Sequence, residues 1–161
     1  MPGIPRVPLV YRLLRRLPTR ARLMLVYLSS PKLTVGAGAI AWNADGHVLL
    51  VHHTYRRPGW GFPSGLIGRR EDPGTALERE LHEELGVRAH ADTLLHAETH
   101  FPIRHLTLYY QVSIQGAPCP NGIELDGFEY VALEDLEAVA GVPPRPWLWA
   151  ARADRCARAA R

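Results

Sequence analysis

The chain has 161 residues, of which 47% are hydrophobic and 22% are charged. This is the composition of an ordinary globular domain, and it excludes disordered and fibrous chains, which need high net charge or a Gly/Pro period. Two cysteines, Cys119 and Cys156, are too few for a disulfide framework and favour a reducing, cytoplasmic setting.

The net charge of +3 conceals an uneven distribution along the chain. Residues 1–32 carry seven basic residues and no acidic one, and residues 145–161 carry five arginines and one aspartate. Residues 33–144 carry seven basic and fifteen acidic residues, a net charge of −8. We therefore expect a basic N-terminal segment (1–32), an acidic central domain (33–144) suited to cations, and a basic C-terminal tail (145–161).

The N-terminal segment predicts two short helices on either side of Pro18. The first helix is amphipathic, with arginines opposite an apolar face formed by Leu9, Val10, Leu13, Leu14 and Leu17. The second helix runs from Thr19 to about Ser30, and its apolar run of six residues is far shorter than the roughly 18 of a membrane span. A basic amphipathic segment suits weak contact with an anionic membrane surface, which would make the protein peripheral. Packing on the domain or on a second copy, as in a homodimer, is the alternative.

The central domain begins with two strand signals. Residues 33–42 and 47–53 are apolar runs on either side of an Asn-Ala-Asp-Gly turn, which predicts an antiparallel hairpin. Residues 54–72 then form a loop rich in Arg, Gly and Pro, and loops of this length are usually functional.

A helix is predicted from Asp72 to Gly86. Asp72 is a typical N-cap, Pro73 suits the first helical position, and Gly86 suits the end of the helix. Leucines at four-residue spacing, Leu77, Leu81 and Leu85, predict the buried stripe.

Strands and helices continue to alternate toward the C-terminus. Strands are expected near 92–101, 105–114 and 128–133, with a loop over 115–126, a short helix over 134–140 and a helical segment after Pro146. Mixed strands and helices in this order predict an α/β domain in which helices cover a sheet.

Three glutamates carry the strongest chemical signal. Glu80, Glu83 and Glu84 stand at helical positions i, i+3 and i+4, so their carboxylates project from one face. Carboxylates this close repel one another unless a cation lies between them, and carboxylate oxygens suit Mg²⁺ or Mn²⁺, which also bind substrate phosphates. Arg79 can hydrogen-bond a neighbouring carboxylate and fix its orientation. The alternative interpretation is an acidic helix face that is simply solvated.

The segment around these glutamates resembles the Nudix box, G-x5-E-x7-R-E-U-x-E-E-x-G-U, in which U is a bulky aliphatic residue. All nine specified positions match, whereas chance would give on the order of 10⁻⁸ matches in a chain of this length. The matching residues are Gly65, Glu71, Arg79, Glu80, Leu81, Glu83, Glu84, Gly86 and Val87.

The resemblance to Nudix hydrolases implies an α/β/α sandwich around a mixed β-sheet. It implies Mg²⁺- or Mn²⁺-dependent hydrolysis of a nucleoside diphosphate linked to another moiety, a class that includes nucleoside triphosphates, nucleotide sugars and ADP-ribose. A non-catalytic nucleotide-binding module with the same fold is the alternative. Nucleic-acid binding by the basic ends is not expected, because they lack the interleaved aromatic residues of a stacking platform.

The resemblance also implies roles for the residues of the box. Glu83 and Glu84 would be metal ligands, with Glu80 as a third ligand or the catalytic base, and the main-chain carbonyl of Ser64 would be a further ligand. Glu71 would support the site, and Arg79 would orient a glutamate. A later glutamate is expected to join the site; Glu129 is our first candidate for it, and Glu124 the alternative.

The loops before the box supply the candidate substrate residues. Tyr55, Arg56 and Arg57 follow the second strand and could line the pocket mouth, the arginines by contacting phosphate. Trp60 and Phe62 could stack on a base. Solvent exposure of the arginines and packing of the two aromatic residues within the loop are the alternatives. Arg70 replaces a glycine common in this turn of the family, so we expect a strained or reshaped corner there.

Overall fold

The computed structural model describes residues 14, 16–55, 57, 59–141 and 143–159. The chain divides into two compact units, residues 1–32 and 33–161. In the first unit, helix α1 (Thr19–Ser29) follows Pro18, as predicted, and none of its eleven residues is buried. The amphipathic helix expected before Pro18 falls almost entirely outside the described residues. Within the part of the chain that is described, no helix has both the length and the hydropathy to cross a membrane.

The second unit contains seven strands and three α-helices among its described residues. The strands are β1 (Thr34–Ala41), β2 (Val48–His53), β3 (Trp60–Gly61), β4 (Ser64–Leu66), β5 (Arg88–His100), β6 (His105–Gln115) and β7 (Leu125–Val131). The helices are α2 (Pro73–Leu85), α3 (Leu136–Ala140) and α4 (Pro146–Ala159), with 3₁₀ turns at Phe101–Ile103 and Leu133–Asp135.

The strands form two sheets. One has the order β4-β1-β6-β5, in which β1 and β6 are parallel and the other pairs are antiparallel. The other is antiparallel, with the order β3-β2-β7. The predicted α/β fold with a mixed sheet flanked by helices is therefore confirmed.

The hairpin predicted between the first two strands is wrong in its pairing. A single bridge between Trp42 and Val48 joins the two strands, after which β1 pairs with β4 and β6 while β2 pairs with β3 and β7. Both strands are almost entirely buried, so their apolar residues satisfy either arrangement. A continuous apolar run predicts a buried strand but does not specify its partner.

Two hydrophobic clusters form the core. The first contains Leu77, Leu81 and Leu85 of α2, which pack against β1 and β2, so the predicted leucine stripe is confirmed. The second contains Leu136 of α3 and Leu148 of α4. These contacts fix α2 against the sheets along its leucine face and leave its glutamate face for another role.

Most of residues 145–161 form α4, so the helical segment expected after Pro146 is confirmed. Leu148 and Ala151 are buried in the second unit, and Arg152 forms an ion pair with Glu134. The basic C-terminal segment therefore packs on the domain through the apolar face of α4.

Candidate active site

Helix α2 carries the glutamates of the box, and its ends are fixed locally. The Asp72 carboxylate accepts hydrogen bonds from the Gly74 and Thr75 N–H groups at 2.9 and 3.4 Å, and Pro73 occupies the first turn. Gly86 adopts the left-handed conformation (φ 66°), and its N–H donates to the His82 carbonyl. Both predicted helix ends are confirmed.

Arg79 connects three carboxylates. Its guanidinium binds both oxygens of Glu71 at 2.9 and 3.1 Å, and it also donates to Glu80 at 2.9 Å and to Glu83 at 3.2 Å. A bidentate Arg–carboxylate pair fixes orientation as well as distance. The orienting role that the resemblance implies for Arg79 therefore has a geometric basis.

These contacts keep the Arg79–Glu71 pair ionised. The hydrogen bond from Arg79, followed by one from the Gly68 N–H, lowers the pKa of Glu71. Hydrogen bonds to Glu71 and Glu80 in turn raise the pKa of Arg79.

The turn that holds Glu71 places Arg70 at a φ of 61°. A non-glycine residue in this region costs about 1 kcal/mol, so the strain expected at this corner is present.

Glu80 and Glu84 form an acidic wall on a cavity of about 870 Å³. Only 5% of Glu84 is exposed, and the side chain of Glu80 lies against the backbone of β4. A Cβ atom at Gly65 would stand 2.1 Å from the Cγ of Glu80, so only glycine permits this approach. Ser64 lines the same cavity. Glu83 lies outside its lining, with 57% of its side chain exposed and its carboxylate on Arg79.

The later glutamates occupy different positions from those expected. Glu124, in the loop between β6 and β7, lines the cavity together with Glu80 and Glu84. Glu129 pairs with Leu50 in the β2–β7 ladder, is exposed, and lies outside the lining. The structure therefore brings the alternative candidate, Glu124, to the cavity. The sequence does not show where β7 begins, so it did not show that Glu124 lies in the loop and Glu129 in the strand.

Of the four candidate substrate residues that the structure describes, two line the cavity and two do not. Tyr55 and Phe62 line the cavity. Trp60 packs beside His52, with ring centroids 5.2 Å apart, and lies outside the lining, as does the exposed Arg57. Arg56 lies outside the described residues. The packing alternative therefore describes Trp60, and the pocket interpretation describes Phe62.

Sequence reasoning missed the wall farther from the box. Alternate residues of β5 and β6 form it, where Glu98 pairs with Thr107 and His100 with His105 in the ladder. Arg145 crosses to Glu98, with an N–O distance of 3.0 Å. The signal was a period-two run of polar residues where β5 ends and β6 begins.

Two aromatic residues extend this wall. Tyr109 and Trp147 line the cavity, and their ring centroids are 5.0 Å apart. A Cβ atom at Gly38 would stand 2.8 Å from the Tyr109 ring, so this glycine lets the ring lie across β1. The cavity thus has an acidic wall near α2 and a polar, aromatic wall on the mixed sheet.

The donor set of the acidic wall fits a hard divalent cation. Among the described residues, no group of three or more His, Cys, Asp or Glu side chains is close enough to form a complete metal centre. Mg²⁺, however, commonly takes one or two protein carboxylates and completes its coordination with water and substrate phosphates. Glu80 and Glu84 provide two such carboxylates on one cavity wall.

The chain is similar to proteins of known activity. It is 46% identical to the 8-oxo-dGTP diphosphatase of Proteus vulgaris over 86 residues, which make up 52% of this chain and 77% of that protein. It is 42% identical to the RNA pyrophosphohydrolase of Cellvibrio japonicus over 50 residues, 31% of this chain and 29% of that protein. The chain thus spans less than a third of the length of this second relative.

The fold and the sequence lead to the same family. A crystal structure of the MutT NUDIX hydrolase from Burkholderia pseudomallei matches with a TM-score of 0.61 and 26% identity, over 76% of this chain and 98% of that chain. The family model of the NUDIX domain matches residues 32–152, well over half of the chain. The protein therefore belongs to the NUDIX domain family, the Nudix hydrolases that its sequence resembles.

Proposed function

We propose that this protein is a Mg²⁺- or Mn²⁺-dependent pyrophosphohydrolase that cleaves the diphosphate bond of a nucleoside triphosphate. The observation that carries the proposal is the meeting of Glu80, Glu84 and Glu124 on one cavity. The activity named for the Proteus vulgaris relative, of which the chain covers 77%, favours a nucleoside triphosphate such as 8-oxo-dGTP over a nucleotide sugar or ADP-ribose.

The acidic wall would hold the metal. Glu80, Glu84 and the Ser64 carbonyl are the proposed ligands, and Glu83 joins them only if its carboxylate leaves Arg79. A bound Mg²⁺ would neutralise phosphate charge and lower the pKa of a coordinated water. Arg79 keeps Glu80 oriented through the hydrogen bond at 2.9 Å, and Glu71 in turn fixes Arg79.

Glu124 is the proposed general base. It lies on the loop side of the cavity and is exposed, so water can reach it. A carboxylate in this position can accept a proton from the water that attacks phosphorus. Glu80 is the alternative base, and the comparison of Glu124→Gln with Glu80→Gln separates the two roles: loss of the base lowers kcat, whereas loss of a ligand also weakens Mn²⁺ binding.

The cavity suits a nucleotide in size and chemistry. Its volume of about 870 Å³ lies within the range of small-molecule sites. With phosphates at the acidic wall, the nucleoside would face the polar and aromatic residues on the opposite side of the cavity, including Tyr109 of β6, Phe62 between β3 and β4, and Arg145 before α4. We propose that these residues, with Tyr55, contact the substrate.

A hydrolysis panel tests the proposal. Purified protein is incubated with 8-oxo-dGTP, dGTP, ADP-ribose, a nucleotide sugar and 5′-triphosphorylated RNA, each with Mg²⁺, with Mn²⁺ and with a chelator. We expect metal-dependent release of pyrophosphate and a nucleoside monophosphate, fastest with a nucleoside triphosphate. Nucleotide binding without turnover of any substrate would support the non-catalytic alternative instead.

We also propose a role for residues 1–32 outside catalysis. The apolar side chains at positions 23–28 are 46–66% exposed, and the segment carries seven basic residues with no acidic one. This combination suits weak contact with an anionic membrane surface by a cytoplasmic protein.

Both cysteines are free and exposed, as suits a reducing compartment.

A further inference from the structure

The loop that carries Glu124 is attached to the helix of the acidic wall. The Cys119 N–H donates to the Leu85 carbonyl at 2.8 Å, and the Asn121 N–H donates to the Glu84 carbonyl at 2.9 Å. Both acceptors belong to the last turn of α2, where helical carbonyls have no partner within the helix. The loop therefore caps the helix that positions Glu80 and Glu84.

One side chain organises the rest of this loop. The Asn121 Oδ1 accepts hydrogen bonds from the N–H groups of Ile123 and Glu124, each at 3.0 Å, and from that of Leu125 at 3.3 Å. Asn and Asp form such turns readily because their short side chains reach backbone groups two or three residues ahead.

Thr54 binds the carbonyl groups of Ile123 and Glu124, two of the residues whose N–H groups Asn121 binds. Its N–H donates to the Glu124 carbonyl at 3.0 Å, and its hydroxyl donates to the Ile123 carbonyl at 2.9 Å. The Glu124 backbone is thus bound through its N–H by Asn121 and through its carbonyl by Thr54. The side chain of Glu124 is left to project into the cavity from a fixed backbone.

We propose that Asn121 is a positioning residue that sets the distance between the Glu124 carboxylate and the acidic wall. The inference rests on the proposed function, in which Glu124 accepts the proton of the attacking water. Asn121 binds both elements that must keep their relative position: its N–H contacts the end of α2, and its side chain contacts the backbone of Glu124. Without the side-chain contacts, the loop can shift by an ångström while the fold persists, and misplacement on this scale can lower a rate about 10²-fold.

A double-mutant cycle with dGTP and Mg²⁺ tests this. Asn121→Ala should lower kcat by about 10- to 100-fold with little change in KM. If Asn121 acts through Glu124, the same change should cost almost nothing in a Glu124→Gln background, because the group that it positions is already lost. Asn121→Asp keeps the acceptor oxygen and should recover most of the kcat.

Matched variants make the result specific. Asn43 also accepts a backbone hydrogen bond in a turn, from the His47 N–H at 2.9 Å, but lies outside the cavity lining, so Asn43→Ala should retain wild-type kcat. Thr54→Val removes the hydroxyl that donates to the Ile123 carbonyl but keeps the backbone N–H that donates to Glu124, and its smaller effect should show the same dependence on Glu124. It serves as the probe if Asn121→Ala does not fold.

The outcomes separate the inference from the proposed function. A wild-type kcat in folded Asn121→Ala, or an equal loss of kcat with and without Glu124, would overturn the positioning role of Asn121. If Glu124→Gln is impaired in the same experiment, the proposed function still stands. A wild type that hydrolyses no nucleotide, or a fully active Glu124→Gln, would contradict the proposed catalytic role of Glu124 and the inference with it.

Discussion

Arg79 holds together carboxylates that would otherwise repel one another. Its guanidinium contacts Glu71, Glu80 and Glu83 within 3.2 Å, while Glu84 is buried on the adjoining cavity wall. One cation on the protein thus neutralises part of the glutamate face, and a divalent cation is proposed to neutralise the rest.

Loss of the Glu84 carboxylate should abolish most activity. Glu84→Gln keeps the shape of the side chain but removes its charge, so we expect kcat to fall by at least roughly 10²-fold. The matched control on the same helix is Glu78→Gln, which keeps an acceptor for the Ala91 N–H outside the cavity lining. Steady-state kinetics and circular dichroism measure the effect; near-normal turnover in a folded Glu84→Gln would contradict the metal assignment.

The Glu71–Arg79 pair predicts a defined pH dependence of stability. The pKa of Glu71 is lowered in the folded protein from an ordinary value of 4.5. The stabilisation is therefore fully present above pH 4.5 and is lost as pH falls through the lowered folded-state value. Urea unfolding should show that Glu71→Gln is less stable than wild type at pH 7, and that the difference shrinks at about pH 3. A difference that grows on acidification would contradict this assignment.

At the scale of elements, α2 was the most predictable part of the fold. Its cap at Asp72, its leucine stripe and its end at Gly86 are local signals, each of which the structure confirms. Strands β1 and β2 were predictable as buried segments, but their pairing was not, because their apolar runs fit several partners. The expectation of a loop over 54–72 was wrong in part, because β3 and β4 lie within it and pair with β2 and β1.

The far cavity wall and Glu124 depend on long-range contacts that local sequence does not specify. Glu98 and Thr107 meet only because β5 pairs with β6 in one register, and the same register pairs His100 with His105. Glu124 reaches the cavity because its loop caps α2, a contact between residues far apart in the chain. The box residues were identifiable from a family resemblance, which also implied a late glutamate but favoured Glu129 over Glu124.

The close contact between β4 and α2 gives a test at this scale. Gly65→Ala would place a Cβ atom 2.1 Å from the Glu80 side chain, which must move away. We expect a loss in kcat of about 10²-fold and weaker Mn²⁺ binding, with the fold retained. The control is Gly127→Ala in β7, where the nearest atom would be 3.6 Å away and the added methyl group is tolerated. Equal activity of the two variants would show that Glu80 does not need its present position.

At the scale of the whole molecule, we predict that the basic N-terminal unit can be removed without unfolding the NUDIX domain. Deletion of residues 1–31 should leave a folded, active domain, because the box and both sheets lie downstream. It should also lower binding to phosphatidylserine vesicles, since six of the seven basic residues of the segment are removed. Co-sedimentation measures this, with phosphatidylcholine vesicles as the control. A packing or dimer role would be indicated instead by two results together. The full-length protein would bind neither kind of vesicle, and the truncated form would aggregate or change its oligomeric state.

In the proposed reaction, water attacks a diphosphate at a metal site that the glutamates of the box form. Hydrolysis of dGTP with Mg²⁺ in ¹⁸O-labelled water, followed by mass spectrometry of the products, tests it most directly. We expect dGMP and pyrophosphate, one ¹⁸O atom on one of the two products after a single turnover, no phosphorylated enzyme, and no reaction with a chelator. Release of inorganic phosphate and dGDP, a phosphorylated enzyme that can be trapped during turnover, or activity that resists the chelator would contradict direct attack by water at this metal site.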